Sequence, residues 1–294
     1  KTTGDLNTLG TWTTSMNGIG GTAPSSFANP NQVFNIANRT NTTLSNAWPV
    51  SGTNSRVVVG NNITLNLNEA LTGKLQANAG SVININHSSI PQLTQLHATS
   101  TVNMNIDGTV PQAVYGNLNL NTAATIKTLP MSSTIVNGNL TVADDVIFEG
   151  SSSPNRSTLT VAGNITFTGS SSNILEEGQR YSLILDGNGS HTINVNQTDI
   201  ALAGLDVEGT LNLNFNDANQ HTLTVGVPNS SGGLLLRSGA VLQLGNHNLE
   251  VNGTSGINPT DDSGEINING GNITVATASG QTSSIYFSDE ANTH

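Results

Sequence analysis

The segment Gly116-Asn117-Leu118-Asn119-Leu120 contains the repeating unit of this chain, a glycine followed by a short run of alternating polar and apolar residues. Related segments are Gly60-Asn61-Asn62-Ile63-Thr64-Leu65, Gly138-Asn139-Leu140-Thr141-Val142, Gly163-Asn164-Ile165-Thr166-Phe167 and Gly271-Asn272-Ile273-Thr274-Val275. Glycine permits a positive φ at a corner, and alternation with a period of two residues is typical of a half-buried β-strand. The unit therefore predicts a corner followed by a strand.

The spacing of these units favours a solenoid. The units that begin at Gly116, Gly138 and Gly163 lie 22 and 25 residues apart, which suits one coil of a solenoid and exceeds the length of a hairpin turn. We therefore expect an all-β fold, a right-handed parallel β-helix (solenoid), because crossovers between parallel strands are right-handed. The pairs Asn137-Gly138 and Asn252-Gly253 are typical of hairpins, so an antiparallel sandwich is the alternative.

The composition narrows the classes of function. Charged residues make up 9% of the chain and aromatic residues 4%, and the abundant Asn, Thr, Ser and Gly disfavour helices. The net charge is −11 without any cluster of Lys or Arg, which argues against nucleic acid and anionic membranes as partners. No apolar run approaches the roughly 20 residues of a membrane-spanning helix, so we expect no transmembrane segment. The absence of cysteine excludes disulfides and thiol chemistry.

The beginning of the chain differs from the rest. Residues 1–55 hold both tryptophans, Trp12 and Trp48, together with three prolines. The first coil of a solenoid exposes unpaired backbone groups and a slice of apolar core, which something irregular and aromatic has to cover. We interpret residues 1–55 as an N-terminal cap and residues 56–294 as the solenoid body.

The end of the chain resembles another strand. The run Ile285-Tyr286-Phe287-Ser288 has no cap-like segment after it. We therefore expect the native protein to continue beyond His294, and a fragment that ends there to associate end to end.

The alternation also predicts which side chains face the core. Ten apolar residues of the repeating units share one phase and should point inward: Leu118, Leu120, Leu140, Val142, Ile165, Phe167, Leu211, Leu213, Ile273 and Val275.

Acidic residues provide the candidate sites for chemistry. Asp206 and Glu208 share one face of a predicted strand, as a carboxylate pair of a glycosidase would, although two solvated carboxylates are the commoner case. A turn near residue 263 is surrounded by oxygen ligands suited to Ca²⁺, namely the side chains of Asp261, Asp262 and Glu265. The six histidines lack the spacing of a zinc pair. We expect no catalytic residues and no cofactor other than this candidate Ca²⁺.

Several segments resemble large secreted proteins of Bacteroidota. The opening residues Gly4-Asp5-Leu6-Asn7-Thr8-Leu9-Gly10-Thr11-Trp12, Gly21-Thr22-Ala23-Pro24 and Asn31-Gln32-Val33-Phe34-Asn35-Ile36 look like the mature start of those proteins. Leu159-Thr160-Val161-Ala162-Gly163-Asn164-Ile165 and Leu242-Gln243-Leu244-Gly245-Asn246-His247-Asn248-Leu249 resemble their solenoid bodies. The resemblance implies an extracellular or cell-surface location, export by the type IX secretion route and an adhesin-like role. It transfers no functional residues.

These observations favour a non-catalytic structural or adhesive protein, a stiff rod that presents a repetitive, acidic, Asn/Thr-rich surface. Its expected partners are other surface or secretion components, or surface glycans. The alternatives are a β-helix polysaccharide-degrading enzyme, which would need clustered acidic and basic residues, and a carbohydrate-binding protein. Binding of ice or mineral through regular Thr or Asn rows is a third class, represented by Val102-Asn103-Met104-Asn105-Ile106.

Overall fold

The chain folds as a parallel β-solenoid, and strands make up 49% of it. The computed structural model describes residues 1–15, 17–121, 126–130, 132–143, 147–149, 157–168, 181–186, 189–196, 199–226, 233–252, 256–259 and 264–275. The chain divides into two compact units, Lys1–Asn121 and Thr122–His294. Within the described residues the helical structure is one 3-10 turn, Leu9–Thr11.

The first unit contains thirteen described strands: β1 (Val33–Ile36), β2 (Asn41–Leu44), β3 (Trp48–Pro49), β4 (Arg56–Val59), β5 (Thr64–Leu67), β6 (Leu71–Thr72), β7 (Lys74–Ala77), β8 (Val82–Ile85), β9 (Gln92–Leu96), β10 (Thr101–Met104), β11 (Gly108–Thr109), β12 (Val114–Tyr115) and β13 (Asn117–Leu120). Three sheets run in the orders β1-β4-β7-β9, β2-β5-β8-β10-β13 and β3-β6. Neighbouring strands of a sheet come from successive coils and pair in parallel.

The second unit contains eighteen described strands: β14 (Ile126–Thr128), β15 (Ser133–Val136), β16 (Leu140–Val142), β17 (Ile147–Glu149), β18 (Ser157–Val161), β19 (Ile165–Phe167), β20 (Tyr181–Leu185), β21 (Ser190–Val195), β22 (Ile200–Leu202), β23 (Leu205–Val207), β24 (Thr210–Phe215), β25 (Thr222–Val225), β26 (Gly233–Leu236), β27 (Val241–Gly245), β28 (Asn248–Val251), β29 (Gly256–Pro259), β30 (Glu265–Ile268) and β31 (Ile273–Val275). Its sheets run β14-β17, β15-β18-β20-β23-β26-β29, β16-β19-β21-β24-β27-β30 and β22-β25-β28-β31. The described pairs are again parallel, so the antiparallel sandwich is wrong.

Within each unit, in-register pairing stacks the apolar residues of successive coils into a core. Eight of the ten residues predicted to point inward are buried, with Leu213 the most exposed of them at 8%. The prediction is wrong for Ile273, which is 41% exposed, and for Val275, which is only half-buried. Both lie on β31, which pairs with β28 and has no further described strand stacked on its other side.

The glycines that open the repeating units have a different role from the one predicted. Gly60, Gly116, Gly163 and Gly271 are not among the residues with positive φ. A Cβ at Gly60 would lie 2.7 Å from the carbonyl oxygen of Ile36 in the preceding coil, and at the other three positions the clash would be closer still. These corners require glycine because two coils approach too closely for any side chain.

The length of a coil varies more than the repeating units predict. In the sheet that contains β2, β5, β8, β10 and β13, paired residues of successive coils are 23, 18, 19 and 16 residues apart. Paired residues in the second unit are 25, 28 and 20 apart along the strands β16, β19, β21 and β24. The strands of this sheet in the first unit are all four residues long, so the corners absorb the variation there.

An aromatic cluster lies against the first coils. Trp12 stacks on Trp48 with ring centroids 5.1 Å apart, and Phe34 and Phe27 meet Trp48 edge-on at 5.7 Å. The indole N–H of Trp12 donates a hydrogen bond to the carbonyl of Leu6 at 2.7 Å. The parallel ladders already begin at β1, inside the 1–55 segment, and the role of that segment as a cap stays a prediction.

Candidate binding surface

One sheet of the first unit repeats a pair of asparagines on its outer side. Four aligned copies of the pattern Asn-apolar-Asn are Asn66-Leu67-Asn68, Asn84-Ile85-Asn86, Asn103-Met104-Asn105 and Asn119-Leu120-Asn121. The strand pairing aligns these four copies in register. Because the central apolar residue is buried in every copy, the two flanking asparagines project outward.

The first asparagine of each pair belongs to a continuous ladder of amide hydrogen bonds. The Nδ2 of Asn119 donates to Oδ1 of Asn103 at 2.7 Å, and Asn103 donates to Asn84 at 2.6 Å. Asn84 donates to Asn66 at 2.6 Å, and Asn66 donates to Asn41 at 2.9 Å. Every bond points toward the earlier coil, so the amide dipoles are aligned and polarise one another.

The second asparagine of each pair forms a parallel ladder just beyond the strand ends. Asn121 donates to Asn105 at 2.9 Å, Asn105 to Asn86 at 2.7 Å and Asn86 to Asn68 at 2.7 Å. Its bonds run in the same direction as those of the first ladder. We call the nine asparagines of the two ladders the asparagine face.

The asparagine face carries no charge, although the chain has a net charge of −11. The adjoining outward row consists of Thr64, Val82, Thr101 and Asn117, which are also neutral. The amides differ in exposure, since Asn68 and Asn86 are exposed and most of the first ladder is half-buried. The result is a surface of oriented hydrogen-bond donors and acceptors.

The asparagine rows lie on the outside of the strands. The first ladder lies on the outer side of β5, β8, β10 and β13. The recurrent Asn-apolar-Asn pattern indicates this placement. Successive side chains of a strand point to opposite faces, so when the central apolar residue points into the core, the two asparagines point outward.

The second unit has only a fragment of such a ladder within its described residues. Asn214 donates to Asn194 at 2.9 Å. Asn212 instead donates to the hydroxyl of Ser190 at 2.9 Å, and Asn196 to the backbone carbonyl of Thr168 at 3.1 Å. The mixed Thr and Asn rows of this sheet therefore do not build a continuous chain of amides in the part that the structure describes.

The carboxylate pair Asp206 and Glu208 is held by an arginine. Nε and Nη2 of Arg237 donate to Oδ1 and Oδ2 of Asp206 at 2.8 and 2.5 Å, and Glu208 lies 3.9 Å from Nε. Asp206 is only 7% exposed, and its hydrogen bond raises the pKa of Arg237. This geometry makes Asp206 half of a bidentate ion pair that links two coils.

A second cluster that contains titratable side chains, which we call the histidine corner, consists of Phe215, Asp217, His221 and His247. His221 stacks on Phe215 with centroids 4.5 Å apart, and its Nε2 lies 2.7 Å from Oδ1 of Asp217. This hydrogen bond lowers the pKa of Asp217. The backbone N–H of His221 donates to Nδ1 of His247 at 3.3 Å. Burial, followed by the charge of His221, lowers the pKa of His247.

The structure does not test the candidate calcium site. Glu265 is exposed on β30, whereas Asp261 and Asp262 lie outside the described residues. Among the residues that the structure describes, no group of three or more His, Asp or Glu side chains is arranged to hold a metal.

A groove of the first unit lies at a different set of corners. It encloses about 570 Å³ between three successive coils. Its lining is mostly hydroxyl, amide and backbone groups, with Lys74 as its charged side chain: Val50, Ser51, Gly52, Thr53, Asn54, Ser55, Leu71, Thr72, Gly73, Lys74, Ser89, Ile90, Pro91 and Gln92.

The described part of the chain contains no helix that is long and apolar enough to span a membrane. Among the described residues, the most regular chemical feature is the asparagine face, with seven amide-to-amide hydrogen bonds in one orientation. Comparison with protein-family models, curated proteins and solved structures found no match to this chain.

Proposed function

We propose that this chain belongs to a secreted or cell-surface protein, that its role is structural or adhesive rather than catalytic, and that the asparagine face is its contact surface. The single observation that carries the proposal is the pair of aligned amide ladders on an uncharged outer surface. A surface of identical groups repeated about every 4.8 Å is suited to a repetitive partner. Export by the type IX route and binding to surface glycans or surface proteins are parts of the same proposal.

The contacts of the acidic pair also support a non-catalytic role. A glycosidase needs one carboxyl group that protonates the leaving oxygen and a second that acts as nucleophile or base. Both oxygens of Asp206 accept hydrogen bonds from Arg237, and Asp206 is only 7% exposed. The carboxylate is therefore held in an ion pair between two coils and is not presented to a substrate.

Adhesion can be measured with labelled 1–294 protein on surfaces coated with polysaccharide, glycoprotein or plain protein. We expect the protein to remain on at least one coating after washing. The double variant Asn68→Asp/Asn86→Asp places two charges on exposed positions of the asparagine face, and we expect about tenfold weaker retention because repeated contacts are lost together.

The matched control is Gln76→Glu, which makes the same amide-to-acid change on another sheet, where Gln76 accepts a hydrogen bond from Arg56. It should bind like the wild type. Equal retention of the double variant, or no retention of the wild type on any coating, would contradict the proposal. Release of new reducing ends from a polysaccharide would show that the protein is an enzyme instead.

A further inference from the structure

We infer that the ligand of the asparagine face is a neutral, hydroxyl-rich polysaccharide whose chain lies along the amide ladders, across the strands. The inference rests on the proposed function, since it names the class of partner that this surface would hold. It follows from the charge, the hydrogen-bonding capacity, the rigidity and the spacing of the nine asparagines.

Charge excludes ionic recognition at this surface. The two ladders and the adjoining row of Thr64, Val82, Thr101 and Asn117 contain no ionisable side chain. An anionic polymer would gain no cation there and would meet the net charge of −11 of the chain. The three rows themselves offer no carboxylate to a mineral or cationic surface, and the nearest in the chain are Glu69, directly after Asn68, and Asp107, two residues after Asn105. A neutral polymer avoids both penalties.

The hydrogen-bonding capacity of the ladders matches hydroxyl groups. An asparagine amide has two N–H donors and two acceptor lone pairs, and a ladder position uses one of each. Asn84, Asn86 and Asn103 make only their ladder bonds among the described residues. Each of them therefore has one donor and one acceptor left, and a sugar hydroxyl, which both donates and accepts, pairs with such a group.

The ladders also hold the amides in place before a ligand arrives. Asn84 and Asn103 are half-buried and hydrogen-bonded on both sides at 2.6 to 2.7 Å. Ordering a free side chain at an interface costs free energy, because its rotamer freedom is lost. These side chains are already ordered, so a ligand loses little of its binding energy to that cost.

The spacing favours an extended polymer over a small sugar. Successive coils place equivalent amides about 4.8 Å apart, close to the length of one sugar unit in an extended chain. The three outward rows carry no aromatic side chain, so no single unit is bound strongly by stacking. Affinity must therefore accumulate from many weak contacts along the chain.

The test uses the full 1–294 chain and immobilised polysaccharides. The neutral set is β-glucan, mannan, xylan and chitin, and the anionic set is alginate and polygalacturonate. We expect binding to at least one neutral polymer, and oligosaccharides of that polymer from dimer to octamer should bind with affinity that rises steeply until the asparagine face is covered. Raising the salt tenfold should change the affinity less than about twofold, because no charges are paired.

Two variants connect the binding to the ladders. Asn68→Ala/Asn86→Ala changes exposed residues and removes the hydrogen bond between them and the one that Asn105 donates to Asn86. It should weaken binding of the longest oligosaccharide at least about tenfold through the loss of multivalency, while the first unit stays folded. Asn84→Ala interrupts the first ladder and should flatten the dependence on chain length. The control Gln76→Ala, on a different sheet, should leave both properties unchanged.

Several results would overturn the inference. Binding that is stronger for anionic polymers and weakens with salt would show ionic recognition, and face-dependent binding to protein coatings alone would leave the adhesive function standing while excluding polysaccharide. Thermal hysteresis in the wild type that the double variant loses would assign the surface to ice. Failure to bind any coating would contradict the proposed function as well.

Discussion

At the scale of single residues, His247 makes the stability of the second unit depend on pH. Its Nδ1 accepts the backbone N–H of His221, so this nitrogen must be unprotonated in the folded state. Burial and the neighbouring His221 lower the pKa of His247 below its ordinary value of about 6.5. A base whose pKa is lowered by folding stabilises the fold above the pKa of the unfolded chain, and that stabilisation decreases as the pH falls toward the folded pKa.

We therefore expect the melting temperature of the second unit to fall as the pH decreases from about 7 toward 5. Replacing His247 with Gln should remove part of this dependence, because the amide oxygen can accept the same N–H without titrating. The measurement is thermal unfolding across this range of pH, with His97→Gln, an exposed histidine of the first unit, as the control. An unchanged pH profile in His247→Gln would refute the assignment.

Arg237 is the residue on which the buried carboxylate of Asp206 depends. Replacing Arg237 with Ala leaves Asp206, 7% exposed, without its bidentate partner. Loss of one partner of a buried pair costs about 3–5 kcal/mol, but Arg237 itself is 43% exposed, so we expect about 1–3 kcal/mol less stability. The double variant Asp206→Asn/Arg237→Gln should recover more than half of that loss. Chemical denaturation measures both, and a double variant as unstable as Arg237→Ala would contradict the ion-pair account.

At the scale of strands, the asparagine ladders link successive coils through side-chain hydrogen bonds, in addition to the backbone hydrogen bonds of the sheet. Asn103 on β10 donates to one neighbour and accepts from the other. Removing it leaves two half-buried amides without their partner, and each lost hydrogen bond is worth about 1 kcal/mol.

Replacement of Asn103 with Ala should therefore destabilise the first unit by about 1–2 kcal/mol. The matched control is Asn35→Ala, since Asn35 is an exposed outward residue of β1 whose side chain donates no hydrogen bond within the described residues. It should change stability by less than about 0.5 kcal/mol. Urea unfolding of both variants is the measurement, and equal values would show that the ladder contributes nothing.

At the scale of the whole molecule, each coil of a solenoid is stabilised mainly by its neighbours. The aromatic cluster around Trp48 packs against the first coils. Removing the side chain of Trp48 should therefore destabilise the nearest strands of the first unit more than the distant ones. The indole N–H of Trp48 is buried and has no hydrogen-bond partner in the structure. Trp48→Phe should therefore cost less stability than the size of the change suggests.

Replacement of Trp48 with Ala should destabilise the first unit by about 3–5 kcal/mol through the cavity that it leaves. Hydrogen exchange should show the largest loss of protection in β1 and β4 and the smallest in β13, because the effect decays from coil to coil. Val33→Ala, at an exposed position, should leave the pattern unchanged. A uniform loss in all strands of the unit would mean that it unfolds as a single cooperative block.

The amino-acid sequence by itself determined the class of fold and most of the core. Alternation of period two and recurrent glycine corners predict stacked parallel strands, and Leu118, Leu140 and Leu211 are buried as that phase requires. These properties are local, because the direction of a side chain follows from its position along its own strand. The alternation also placed Asp206 and Glu208 on the same face of one strand.

The tertiary structure decided which groups meet between coils. Residues 16 to 31 apart become neighbours only when corners of unequal length bring the strands into register, and the sequence pattern does not specify that register. The amide ladders, the contact of Arg237 with Asp206 and the pairing of His221 with His247 all depend on it. The exposure of Ile273 has the same origin, because burial in a solenoid requires a coil on each side, and no described strand covers β31.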